Sequence, residues 1–197
     1  MDSEWERFRD RIVGLQNYLS WFKADFLDRD DFKKFANTLQ QKVGGFKEIC
    51  ITGYFSEDVV IELERIINYG KTTSIDTRVR LLCPDLDVKI RDGRIEGRDR
   101  RNLQALEKIV RAGAEVKVNI RMHARFLVAY TPSPNPPNGL LVIGSFDFNK
   151  EGMSRERYDA GIMTRHPDLV NSAIDLFEQI WSEEQSEDLL RKYEGIN

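Results

Sequence analysis

His123, Arg125 and the Gly144-Ser145 pair are the residues of this sequence best suited to chemistry. An imidazole can act as nucleophile or proton carrier near neutral pH. A guanidinium beside it binds two oxygens of an anion at once. The turn after Gly144-Ser145 adds a hydroxyl and backbone N–H groups. Together these groups suit an anionic phosphoryl group. His123 and Arg125 sit two apart, so on a strand both side chains face the same way. The runs HARFLVAY and GLLVIG around them are apolar and separated by TPSPNPPNG. Proline cannot continue a ladder, so the two runs read as paired strands joined by a loop at the far end.

This segment resembles the HKD motif of the phospholipase D superfamily, nuclease-like branch: His-x-Lys-x4-Asp, then Gly-Ser-x-Asn. The sequence has His123-Ala124-Arg125, Tyr130, then Gly144-Ser145-Phe146-Asp147. Arg125 stands for the lysine, Tyr130 for the aspartate and Asp147 for the asparagine. The following YDAGIMTRHPDLVNSAIDLFEQIW resembles the family's closing strand and helix. The resemblance implies that His123 attacks phosphorus to form a phosphohistidine, and that a second His123 protonates the leaving oxygen and then activates water. Arg125 becomes the phosphate clamp and Ser145 a hydroxyl donor, while Asp159 falls where an acidic residue orients the histidine. Tyr130 cannot supply a negative charge near neutral pH. Asp147 and Asn149 fall on the phosphate-binding side of the site: the Asp147 carboxylate would repel the anion, and Asn149, two residues on, could donate in place of the lost amide. The family's site resembles two facing units, each giving one histidine motif. The sequence carries one copy, so the resemblance implies a two-fold homodimer with the site on its axis.

The elements that must position these residues follow from the apolar pattern. Trp5, Phe8, Ile12, Leu15, Leu19, Phe22 and Phe26 recur at steps of three and four, with Ser3 and Glu6 as a capping box, predicting a helix over 3–27. Its seam can pack on its own domain or grip a partner. Asp28–Asp31 breaks the pattern, and Phe32, Phe35, Leu39 and Val43 predict a short helix stopped by Gly44-Gly45. Strand and helix then alternate. Strands are expected at Lys47–Phe55, Arg78–Cys83, Glu115–Ile120 and through His123; helices at Ser56–Tyr69, ended by Gly70, and Asn102–Ala112, ended by Gly113. The last helix, Pro167–Ser182, should bury Leu169, Ala173, Leu176, Phe177, Ile180 and Trp181. The expectation is an α/β fold: a mixed sheet flanked by helices over 31–197, parallel in its first half, with an extra amphipathic helix in 1–30.

Composition narrows the function further. The net charge is −3 with 32% of residues charged, so any basic site must be local. The densest basic stretch is Lys89–Arg101, which reads either as a mobile arm whose Arg94 and Arg98 track a phosphate backbone or as a solvated loop running into a helix with internal salt links. The two cysteines, Cys50 and Cys83, lie in apolar runs and read as reduced core residues. His166, before Pro167, reads as a helix-start residue rather than a ligand. Neither zinc-type spacing nor a glycine-rich nucleotide loop is present, so no metal or cofactor is expected. With no apolar run of spanning length and no secretory signal, the expectation is a cytoplasmic protein that avoids membranes. Three functions fit: a homodimeric, metal-independent phosphodiesterase acting as a nuclease; a catalytically impaired module that binds nucleic acid or phosphate; and an assembly protein working through the 3–27 helix.

Overall fold

The computed structural model describes residues 24–27, 29–55, 57–73, 75–91, 94–133, 138–145 and 160–193. Its strands are β1 (Ala24–Leu27), β2 (Glu48–Thr52), β3 (Arg78–Cys83), β4 (Lys89–Arg91), β5 (Arg94–Glu96), β6 (Glu115–Asn119), β7 (Phe126–Thr131), β8 (Asn138–Gly144), β9 (Gly161–Thr164) and β10 (Ser186–Asp188). The helices are α1 (Arg29–Asn37), α2 (Leu39–Val43), α3 (Glu57–Thr73), α4 (Arg100–Ala112), α5 (Pro167–Ser182) and α6 (Leu189–Lys192).

Eight of the strands form one sheet in the order β1-β9-β8-β7-β2-β3-β6-β10. β2, β3 and β6 run parallel, joined through α3 and α4, whereas β7, β8 and β9 each pair antiparallel with the strand beside them. This is the mixed sheet that the alternating pattern predicts. Side chains alternate across it, giving two cores. Ile49, Ile51, Val79, Leu81, Leu127 and Ala129 face α1 to α4, in the larger core. Cys50, Leu82, Phe126, Val128 and Tyr130 face α5, in the smaller one. Both cysteines are reduced and buried, and burial pushes each thiol up to about 12.

Several elements depart from expectation. Residues 24–27 form an edge strand paired with β9, not the end of a helix, and Leu27 joins the core. The ladder and this burial outweigh the helical spacing; the remainder of the expected 3–27 helix lies outside the described residues. The helix expected over 32–43 is two, broken at Thr38, whose hydroxyl donates to the Lys34 carbonyl at 2.8 Å. The next helix continues past Gly70 to Thr73. On α5, Val170, Ala173 and Phe177 are the buried residues, while Leu169 and Leu176 are exposed. The stripe that meets the sheet is therefore narrower than the apolar arc.

The basic Lys89–Arg101 stretch is also more ordered than an arm. β4 and β5 pair as a separate ribbon. Its neck is closed by the buried Asp99, whose carboxylate accepts from the Asp87 N–H at 2.8 Å. Gly97 turns the neck at φ 120, and a Cβ there would come within 2.2 Å of the Asp87 carbonyl oxygen.

Candidate active site at the carboxyl edge of the sheet

The parallel strands β2, β3 and β6 all end at one edge of the sheet, the edge where open α/β folds present ligand sites. The His123 segment crosses this edge between β6 and β7. His123 and Arg125 are not on a strand, as the alternation suggested: β7 begins only at Phe126. The reason lies in the partners that capture the chain on both sides.

On the approach, Asn119 ends β6 fully buried. Its side-chain oxygen accepts from the Arg121 N–H at 2.8 Å, and its carbonyl accepts from the Met122 N–H at 3.1 Å. The same amide group donates to Ser186 at 2.9 Å and to Glu183 at 3.1 Å. The resulting turn drives Met122 into the smaller core, at 5% exposure, and leaves His123 exposed on the other side of the bend. Beyond His123, the Thr52 hydroxyl engages the Ala124 carbonyl and the Phe126 N–H. Arg125 is half-buried, and its carbonyl accepts from the Gly144 N–H at 3.3 Å. This last bond ties the His123 segment directly to the Gly144-Ser145 turn.

Ser145 follows β8 at the same edge. Its N–H donates to the Ala160 carbonyl at 3.0 Å, and its hydroxyl accepts from the Ala160 N–H at 3.2 Å. The clasp continues the β8–β9 ladder, where Gly144 opposes Gly161. His123, Arg125 and Ser145 thus belong to one edge, held by adjacent strands. Asp147, Asn149 and Asp159 lie outside the described residues. Arg94 is on β5 and Arg98 in the exposed turn after it, in the β3–α4 connection that leaves the sheet at this same carboxyl edge. His166 starts α5, its N–H donating to the Thr164 hydroxyl at 3.0 Å, at the opposite end of β9 from the site. Among the described residues no group of three His, Cys, Asp or Glu is arranged to hold a metal ion, and no helix is long and apolar enough to cross a membrane.

Tyr130, in the position of the motif's aspartate, points elsewhere. It lies four residues along β7 from Phe126, about 13 Å away at the strand's rise. There it is 8% exposed, beside Arg80. Arg80 is itself 3% exposed: it donates to Glu178 at 2.5 and 3.0 Å, lies 3.5 Å from Glu48, and reaches the Tyr130 oxygen at 3.5 Å. Its guanidinium also stands 5.1 Å from the centre of the Phe177 ring and 5.6 Å from that of Trp181. Burial pushes the Tyr130 hydroxyl up to about 12. Position 130 therefore serves the seat of α5, not the edge that carries His123. Sequence reasoning missed Arg80, Thr52 and Asn119; the only available signal was a polar residue inside or closing an apolar strand.

Residues 48–181, well over half of the chain, match the family described as "Cardiolipin synthase, PLD-like domain". No curated protein gives a significant match. Among solved structures, Nuc, a phospholipase D family member from Salmonella typhimurium, superposes with a TM-score of 0.60 at 14% identity, covering 84% of this chain and 95% of its own. The polyphosphate kinase of Porphyromonas gingivalis gives 0.60 at 20% identity, covering 80% of this chain and 26% of its own. TrmBL2, an archaeal chromatin protein described with a novel mode of DNA binding, gives 0.51 at 12% identity, over 94% of this chain and 64% of its own. At these identities the likeness is one of fold. The match over 48–181 and the edge that gathers the histidine and Gly-Ser elements agree: the chain belongs to the phospholipase D-like family.

Proposed function

We propose that the protein is a phosphodiesterase that cleaves nucleic acid, working as a homodimer. His123 of one subunit attacks phosphorus and the partner's His123 serves as acid and then base. The observation that carries this reading is the bond from the Gly144 N–H to the Arg125 carbonyl, which draws an exposed histidine, a guanidinium and a serine turn to one sheet edge. Family membership supports phosphodiester chemistry. The solved structures of similar fold are named for phosphate-linked ligands, phospholipid, polyphosphate and DNA, which supports a substrate whose phosphate is the recognised group. The basic ribbon at the same edge favours an extended polyanion over a single headgroup.

In the reaction, the His123 imidazole forms a P–N bond as the P–O bond to the leaving group breaks, and the partner's His123 delivers a proton to that oxygen. Water, losing its proton to the same imidazole, then releases the phosphate. Arg125 holds the non-bridging oxygens, as its bidentate fork allows. Hydrolysis of single-stranded DNA, double-stranded DNA and a chromogenic diester, with chelator present, tests the reading against His123→Ala and Arg125→Ala. Turnover lost in His123→Ala supports it; turnover equal in wild type and His123→Ala refutes it. A second reading is a DNA-binding module without turnover, favoured by the similarity to TrmBL2. It predicts salt-sensitive DNA binding that survives His123→Ala and fails in Arg125→Ala.

A further inference from the structure

We propose that Thr52 is a positioning residue that sets the conformation of the His123 segment; the inference rests on the phosphodiesterase reading above. Thr52 closes β2 and is 0% exposed. A buried hydroxyl must find partners, and this one finds them on the segment that leads into the neighbouring strand. It donates to the Ala124 carbonyl at 2.9 Å, with the Phe126 carbonyl farther at 3.4 Å, and accepts from the Phe126 N–H at 3.0 Å. The two stronger contacts bracket Arg125, and the first sits on the residue next to His123.

These contacts alter the path of the chain. In the ladder Thr52 stands opposite Phe126, the first residue of β7. The Phe126 N–H is taken by the side chain of Thr52, and the Ala124 carbonyl, two residues earlier, is drawn in beside it. The segment 122–124 therefore runs past the sheet edge outside any strand, and the chain re-enters the β8 register at Arg125, whose carbonyl is held by the Gly144 N–H. Asn119 holds the near side of this bend and Thr52 the far side. His123 lies between the two anchors. Removing the hydroxyl frees one anchor without touching the imidazole, the guanidinium or Ser145.

The test compares wild type with Thr52→Val, which keeps the shape and lacks the hydroxyl. A second pair, Thr52→Ser and Thr52→Ala, separates the hydroxyl from the methyl if valine prevents folding. Two readouts are taken: diester hydrolysis, resolved into kcat and KM, and the imidazole C2–H resonances. The chain has only two histidines, and His166, at the opposite end of β9, is an internal control. The expected result is a fall in kcat of about 10- to 100-fold with KM little changed in Thr52→Val and Thr52→Ala, as a displaced catalytic group gives. The His123 resonance should move while that of His166 does not, and Thr52→Ser should restore both readouts. A kcat and His123 resonance unchanged in Thr52→Val or Thr52→Ala would overturn the proposal. So would losses in Thr52→Ser as large as in Thr52→Ala, which would assign the effect to packing of the methyl. If wild type shows no hydrolysis, the phosphodiesterase reading fails separately. The His123 resonance then decides whether Thr52 positions the segment.

Discussion

Tyr130 occupies the place of the motif's aspartate but packs with α5, away from the edge that carries His123. Its neighbours are one buried cation, Arg80, and two carboxylates, Glu48 and Glu178. An aspartate at 130 would add a third carboxylate against a single guanidinium, buried and short of partners. Tyr130→Asp, the substitution that restores the motif's letter, is accordingly expected to destabilise the fold by about 3 kcal/mol without raising activity, as urea denaturation and the diester assay would register. A second outcome belongs to the same cluster. Burial holds the Glu48 carboxyl above its ordinary value of 4.5, outweighing the attraction of Arg80. Between that value and the raised one the folded protein binds more protons than the unfolded chain, so stability falls as pH rises through the window. Glu115 runs the other way: hydrogen bonds from Arg78 at 2.5 and 2.9 Å lower its carboxyl, and its contribution is lost as pH falls. That pair is half-exposed and screened by solvent. Subtracting the denaturation profile of Glu48→Gln from that of wild type leaves the Glu48 slope alone, and that difference should decline with rising pH above 4.5.

At the scale of elements, legibility depended on whether a segment's partner lay within the pattern. Arg78–Cys83 and Pro167–Ser182 fold over the residues expected, because an apolar run and a proline-started amphipathic stretch declare themselves locally. The β7–β8 pairing was equally plain, since two apolar runs flank a proline-rich stretch that cannot continue a ladder. Ala24–Leu27 was not, because what makes it a strand is β9, more than a hundred residues away. The bend at His123 was hidden for a similar reason: Thr52 captures it from a distant strand. The seating of α5 was half legible. Its helix was plain, yet its close approach to the sheet depends on Gly139 on β8, where a Cβ would stand 2.5 Å from Val170 Cγ1 and 3.2 Å from the Ala129 carbonyl oxygen. Gly139→Ala must push α5 outward or displace the strand. We expect a loss of about 1–3 kcal/mol, read as a lower thermal midpoint, with the Phe177–Trp181 stack disturbed in near-ultraviolet dichroism. A midpoint unchanged from wild type would mean that the helix adjusts freely, and that the close approach carries no energy.

For the whole molecule, the decisive quantity is how many copies of His123 one reaction consumes. The carboxyl edge offers an exposed imidazole from one chain, whereas nucleophile and proton donor must act in the same step. A two-fold axis through that edge would bring a second His123 to the first, and every site would then need two intact subunits. Mixing wild type with His123→Ala, after unfolding and refolding together to exchange subunits, turns this into a curve. If each site needs both histidines, activity falls as the square of the wild-type fraction, reaching about a quarter at an equal mixture. If one histidine suffices, activity falls in proportion and stays at about half. A quadratic curve with a dimeric mass in light scattering would support the shared site. A straight line with a dimeric mass would keep the dimer and move the proton donor to another residue of the same subunit, with Asp159 the first to replace.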